Sequence, residues 1–198
     1  MPATVTPTPY QLPVIPREDL EQDANKLFQI HPRSLFVFDS GAVLPAAGTA
    51  DDLGFYQGTH GTNFPYVGTG DFKASSITRK ARFTFTLPEC YVPDGAIFIR
   101  FRAGMVTTIA DTSCTIDAAA FKASSTAGAV ITGADRVTTS AQDINSLTWD
   151  DYDFALDQSG FVAGDEIDVL VTIAGVDAAS ATNVIGAFRA FIGCTIRG

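Results

Sequence analysis

Four aspartates and two further aromatic residues crowd Trp149 in the stretch TWDDYDFALD (148–157), the densest group of chemically capable side chains in the chain. Three chemistries fit such a group: a carboxylate pair for acid–base work, an oxygen cage for Ca²⁺, or no chemistry, as the edge of a β-sheet. Read as a strand, 152–156 sends Tyr152, Phe154 and Leu156 to one face and Asp153 and Ala155 to the other. Asp150 and Asp151 then fall in the preceding turn, where aspartate is favoured for its side-chain-to-backbone hydrogen bonds. The aspartates divide between a turn and a solvent face, while the aromatics bury.

Glycoside hydrolysis needs two carboxylates facing each other across a cleft, roughly 5–10 Å apart. The E-x-D-x-x-E run of jelly-roll glucanases is missing, and only Glu18, Glu21 and Glu89 precede Glu166. Asp150, Asp151 and Asp165 offer the oxygen donors that Ca²⁺ takes, and Asp51 and Asp52 form a further acidic pair, but neither set has regular ligand spacing. His31 and His60 are the only histidines and have no Cys or His at zinc spacing. No G-x-S-x-G elbow, G-x-G-x-x-G or phosphate-binding loop occurs. The sequence therefore predicts no catalytic residue, no metal site and no cofactor. Trp149, Tyr152 and Phe154 are the candidates for an aromatic binding platform, although their alternation reads as core.

The elements around these residues are mostly strands. Ala81, Phe83, Phe85 and Leu87 alternate with Arg82, Thr84 and Thr86. Ile97, Ile99, Phe101 and Ala103 alternate with Phe98, Arg100 and Arg102. Ile167 to Ile173 and Val184 to Ile196 repeat the pattern. Weaker strands are expected at 113–122, 129–139, 144–149 and 152–156, and SLFVF (34–38) reads as a first strand. No proline follows Pro93, as suits strands that keep their ladder donors. The thirty residues from Gly41 to Gly70 hold seven glycines and read as a long loop of the kind held against a neighbour or used in function. Upstream, REDLEQDANKLF places Leu20, Ala24, Leu27 and Phe28 at helical spacing behind acidic residues, which predicts one short helix. Half of the ten prolines lie in the first sixteen residues, interleaved with Tyr10, Leu12, Val14 and Ile15. Such a segment is stiff and extended and loses little entropy on docking. The expected organisation is an arm and helix over 1–33 and a β-sandwich of jelly-roll type over 34–198. Tyr10, Leu12, Val14, Ile15, Leu27 and Phe28 are the expected partner-binding residues.

Charge narrows the partners. The net charge is −9; residues 137–198 carry nine acids and two bases, against thirteen acids and eleven bases before them. This balance disfavours nucleic acid. Arg79, Lys80, Arg82, Arg100 and Arg102 are expected on outward strand positions, paired with the acidic segment. No run of 18 uncharged apolar residues suggests a membrane span. Three widely spaced cysteines and a first segment with no signal-like character predict synthesis in cytoplasm with reduced thiols.

Four stretches resemble a known group: LPAAGTADDLGFYQGTHGT (44–62), YVPDGAIFIRFRAGM (91–105), INSLTWDDYDF (144–154) and GFVAGDEIDVLVTI (160–173). They are similar to small structural proteins of tailed bacteriophages, of the jelly-roll capsid cement (decoration) type. The resemblance covers roughly residues 40–198 and leaves out the arm. It implies a homotrimer on the outer surface of the virion that clamps neighbouring major capsid subunits, with no catalytic residues. The other functions considered are a carbohydrate- or receptor-binding head-fibre module and a jelly-roll glycoside hydrolase.

Overall fold

Alternation with period 2 gives a strand one apolar face, and two such faces closed on each other make a sandwich. The computed structural model describes residues 24–123, 133–179 and 182–197. The described residues form ten strands: β1 (Ala24–Ile30), β2 (Gly54–Tyr56), β3 (Tyr66–Gly68), β4 (Ser76–Thr86), β5 (Ile97–Met105), β6 (Ser113–Lys122), β7 (Gln142–Asp143), β8 (Asp150–Ala155), β9 (Glu166–Val176) and β10 (Gly186–Ile196). One sheet runs β2-β3-β10-β5-β8, with β1 also paired to β10; the other runs β4-β9-β6-β7. Every strand ladder is antiparallel. The fold is the expected all-β sandwich, and after β4 the chain changes sheet at every connection except β6 to β7.

The core is set by register. Opposite one another on the inner face of the six-stranded sheet lie Ile97 and Cys194, Ile99 and Ile192, Phe101 and Ala190. Phe101 meets Phe154 and Phe188 edge-on, with ring centroids 5.4 and 5.2 Å away. The second sheet answers with Ala81, Phe83, Ile116, Ala118, Ala120, Ile167, Val169, Val171 and Ile173, all buried. Full burial of each large aliphatic or aromatic side chain is worth about 1.5–3 kcal/mol, which is why this face holds the sandwich shut.

Several sequence expectations need correction. Residues 24–28, expected to close a helix, lie instead in β1, whose seven residues pair with 190–196 of β10. The helical spacing of Leu20, Ala24, Leu27 and Phe28 competed with a second, period-2 pattern, Phe28 and Ile30. A helix of this length is marginal in water, whereas the open edge of β10 offers seven residues of ladder. Phe28 also packs against Phe85 of the facing sheet at 5.9 Å. The sandwich therefore includes Ala24–Ile30 and does not begin at Ser34; residues 17–23 lie outside the described segments.

SLFVF is not a strand. Pro32–Ser34 form one 3-10 turn capped by His31, whose Nδ1 accepts from the Arg33 amide, and Phe36 alone bridges to Val43 and Arg82. Residues 144–149 are irregular. Within 133–139 only Val137 bridges, to Leu156; the rest of the strand expected from residue 129 lies outside the described segments. The glycine-rich stretch is not wholly loop, since it supplies β2 and β3.

Candidate functional site

The outer face of the six-stranded sheet carries the acidic stretch. β8 begins at Asp150, so Asp150 and Asp151 are strand residues rather than turn residues. Asp151 lies directly opposite Arg102 and Asp153 directly opposite Arg100. Each arginine grips its aspartate with two hydrogen bonds: 2.6 and 2.7 Å for Arg100–Asp153, 2.7 and 3.0 Å for Arg102–Asp151. Those bonds, with the nearby charges of Arg100 and Arg189, hold the Asp151 carboxyl below its ordinary pKa. A general acid needs the opposite displacement. Arg82 pairs in the same way with Asp168 of β9, at 2.5 and 2.6 Å. The basic strand positions thus meet the acidic segment as expected for Arg82, Arg100 and Arg102. Arg79 instead donates to the Gly48 and Ala50 carbonyls, and Lys80 lies over the Phe38 ring.

The stretch also splits by pleat in a way its alternation only half announces. Phe154 is fully buried and Tyr152 packs against the core. Trp149 lies on the other side, across the outer face. Its indole sits over Gly104, where an added Cβ would come within 2.7 Å of the ring, and its N–H donates to the Met105 carbonyl at 3.1 Å. Gly68, Ala187 and Gly104 are register partners on β3, β10 and β5, a row of small residues over which large rings can lie flat.

Around this row the aromatics gather. Tyr66 meets Trp149 edge-on at 6.1 Å and stacks on Tyr56 at 4.8 Å. The Arg189 guanidinium stands over the rings of Phe64 and Trp149, at 5.4 and 5.8 Å. The loop between β2 and β3 borders three adjoining clefts. One of about 540 Å³ holds His60, Asn63 and Phe64. A second, of about 750 Å³, extends to Arg33, Val43 and Tyr56. The third, of about 320 Å³, lies between Phe64, Tyr66, Val106, Trp149 and Arg189. The sequence reading passed over Tyr56, Phe64, Tyr66 and Arg189, because a glycine-rich stretch shows no periodicity. The available signal was the aromatic content of that stretch together with a lone arginine in an apolar final strand.

One end of the sandwich gathers the loops 69–75, 106–112, 144–149 and the described part of 177–185. Polar ties fix them. The buried Asp177 carboxylate accepts from the amides of Ala74 and Asp111, at 2.9 and 3.0 Å. Asn145 accepts from the Ala110 amide and donates to the Ala110 carbonyl, both at 2.8 Å. From these loops and the adjacent end of β9 project Ile109, Leu147 and Val176, three of the seven large apolar side chains that stand exposed among the described residues.

Of the expected partner-binding residues, β1 separates two. Leu27 points outward and is 49% exposed, while Phe28 turns inward against the core. Tyr10, Leu12, Val14 and Ile15 lie outside the described residues. Among the described residues no three His, Cys, Asp or Glu side chains converge as a metal site requires. Asp165, considered for Ca²⁺, accepts from Lys122 at 2.6 Å and from the Val162 amide. Asp52 is raised above its ordinary pKa by burial and by Asp51 and Asp39. No helix of the described residues is long and apolar enough to cross a membrane. Compared with known proteins, the chain matches no protein-family model and no curated sequence.

Proposed function

We propose that this protein is a structural component of a tailed-phage virion: a jelly-roll cement protein that binds the outside of the head as a homotrimer and clamps neighbouring major capsid subunits. The observation that carries the reading is the apolar loop end. Ile109 and Leu147 stand exposed on loops tied together through Asp177 and Asn145, with Val176 exposed at the adjoining end of β9. Exposed apolar residues grouped on a rigid frame mark a surface made for a protein partner. The proline-rich first segment, with Tyr10, Leu12, Val14 and Ile15, is the second point of attachment in this reading. Ala24, the first described residue, pairs with Ile196 at the end of the sandwich opposite those loops. Two points of attachment suit a bridge between neighbours. The four phage-like stretches agree: three of them supply parts of the six-stranded sheet and its loops, and the fourth supplies β9.

Two measurements test this. Light scattering of the purified protein should give about three times the 21.0 kDa chain mass, and the protein should co-sediment saturably with undecorated heads of the phage that encodes it. A single-chain mass at micromolar concentration, or no co-sedimentation, contradicts the proposal.

A further inference from the structure

Arg189 is the arginine on the outer face of the six-stranded sheet that hydrogen-bonds no carboxylate, although its charge reaches Asp151. Its register partner Arg102 holds Asp151, and Arg100 holds Asp153. Arg189 makes no hydrogen bond or ion pair with any described residue, and its Nε is buried without an acceptor. A buried donor left unpaired is costly, and an incoming oxygen removes that cost. Arg189 lines the 320 Å³ cleft, its guanidinium over the rings of Trp149 and the 76% exposed Phe64. Thr62 and Asn63 line the same cleft.

Flat apolar faces, amide and hydroxyl groups and one unpartnered guanidinium together describe a ligand. It has a ring with an apolar face to stack on an aromatic, hydroxyls for the polar rim, and a carboxylate that fits the arginine fork. Nucleic acid also stacks on aromatics but needs several cations to neutralise its phosphates. This chain carries a net charge of −9, and Arg189 is the single basic side chain bordering the cleft. We infer that the cleft between the 57–65 loop and Trp149 binds a glycan bearing a carboxylated sugar, with the ring on Phe64 and Trp149 and the carboxylate on Arg189. The inference does not rest on the capsid proposal: the cleft is built from residues of this chain alone.

Trp149 is the only tryptophan of the chain, so its fluorescence reports on this cleft alone. The full-length protein is titrated with trigalacturonate and with 3′-sialyllactose, the two common sources of a sugar carboxylate, and with the neutral counterparts galactotriose and lactose. At least one acidic glycan should give a saturable change, with affinity at least tenfold above its neutral counterpart. Arg189→Gln should erase that tenfold preference while leaving neutral binding as it was. Phe64→Ala, a change at an exposed position that leaves the melting temperature unaltered, should weaken both. No saturable change with either acidic glycan at millimolar concentration overturns the inference, as do equal affinities for acidic and neutral forms or an unchanged preference in Arg189→Gln.

Discussion

Asp151 shows how the acidic stretch is used at the scale of a single residue. Its carboxylate is shared by Arg102 at 2.7 Å and Arg100 at 3.7 Å on a partly exposed face. Ion pairs in that setting contribute up to about 1 kcal/mol. Because the folded-state pKa is lowered from 3.8, the stabilisation is fully present above that value and is lost as pH falls through the folded pKa. Asp151→Asn should therefore be up to about 1 kcal/mol less stable than the parent at pH 7, with the gap closing as unfolding is measured at pH below 3.8. A gap constant with pH would assign the loss to packing instead. The thiols give a second residue-scale expectation. Burial pushes the Cys114 pKa up to about 12 and that of Cys194 to about 11, whereas Cys90 is exposed. At pH 8 a disulfide reagent should titrate one thiol per folded chain, none in Cys90→Ser, and all three after denaturation of the parent. Three reactive thiols in the folded protein would contradict the burial of Cys114 and Cys194.

At the scale of elements, β1 is the strand on which sequence and structure part most sharply. Ile30 is buried, and Phe28 covers Phe85 across the sheets. Deleting residues 1–16 should leave the melting temperature unchanged. Deleting 1–30 removes a seven-residue ladder and two inward side chains, a loss of about 2–4 kcal/mol, or roughly 5–15 °C for a chain of this size. Equal melting of the two truncations would show β1 to be dispensable. The long strands β4, β5, β9 and β10 were legible because each buries one whole face, which forces strict alternation. β6 was legible to its exact ends, Ser113 and Lys122, for the same reason. β1 was not, because in seven residues Leu27 and Phe28 satisfy a helical stripe and a strand face equally well, and only the open edge of β10 decides between them. Asp153 was correctly expected on the face opposite Tyr152 and Phe154, whereas Asp150 and Asp151, expected in a turn, lie in β8, with Asp151 beside Asp153 on the outer face and Asp150 on the face of Tyr152. Trp149 was misplaced because its outward seat depends on Gly104, Ala187 and Gly68, three small residues on three other strands that no local pattern connects. The aromatic cleft followed the same rule. Its residues come from the β2–β3 loop, the β7–β8 loop and β10, so it exists only once the sheet is assembled.

For the whole molecule, the two ends of the sandwich differ in kind. One end carries tied loops with Ile109 and Leu147 exposed beside Val176; at the opposite end Ala24 pairs with Ile196. A protein that joins two neighbours needs two such places, and the outer face between them remains open with its paired arginines and aspartates and the Arg189 cleft. A cryo-electron reconstruction of the phage particle is the most direct test of this arrangement. The account predicts three copies of the sandwich around each decorated three-fold position on the outside of the head, with the apolar loop end covered by the shell or by a neighbouring copy. Heads bearing no such density, or copies whose loop end faces solvent uncovered, would contradict it.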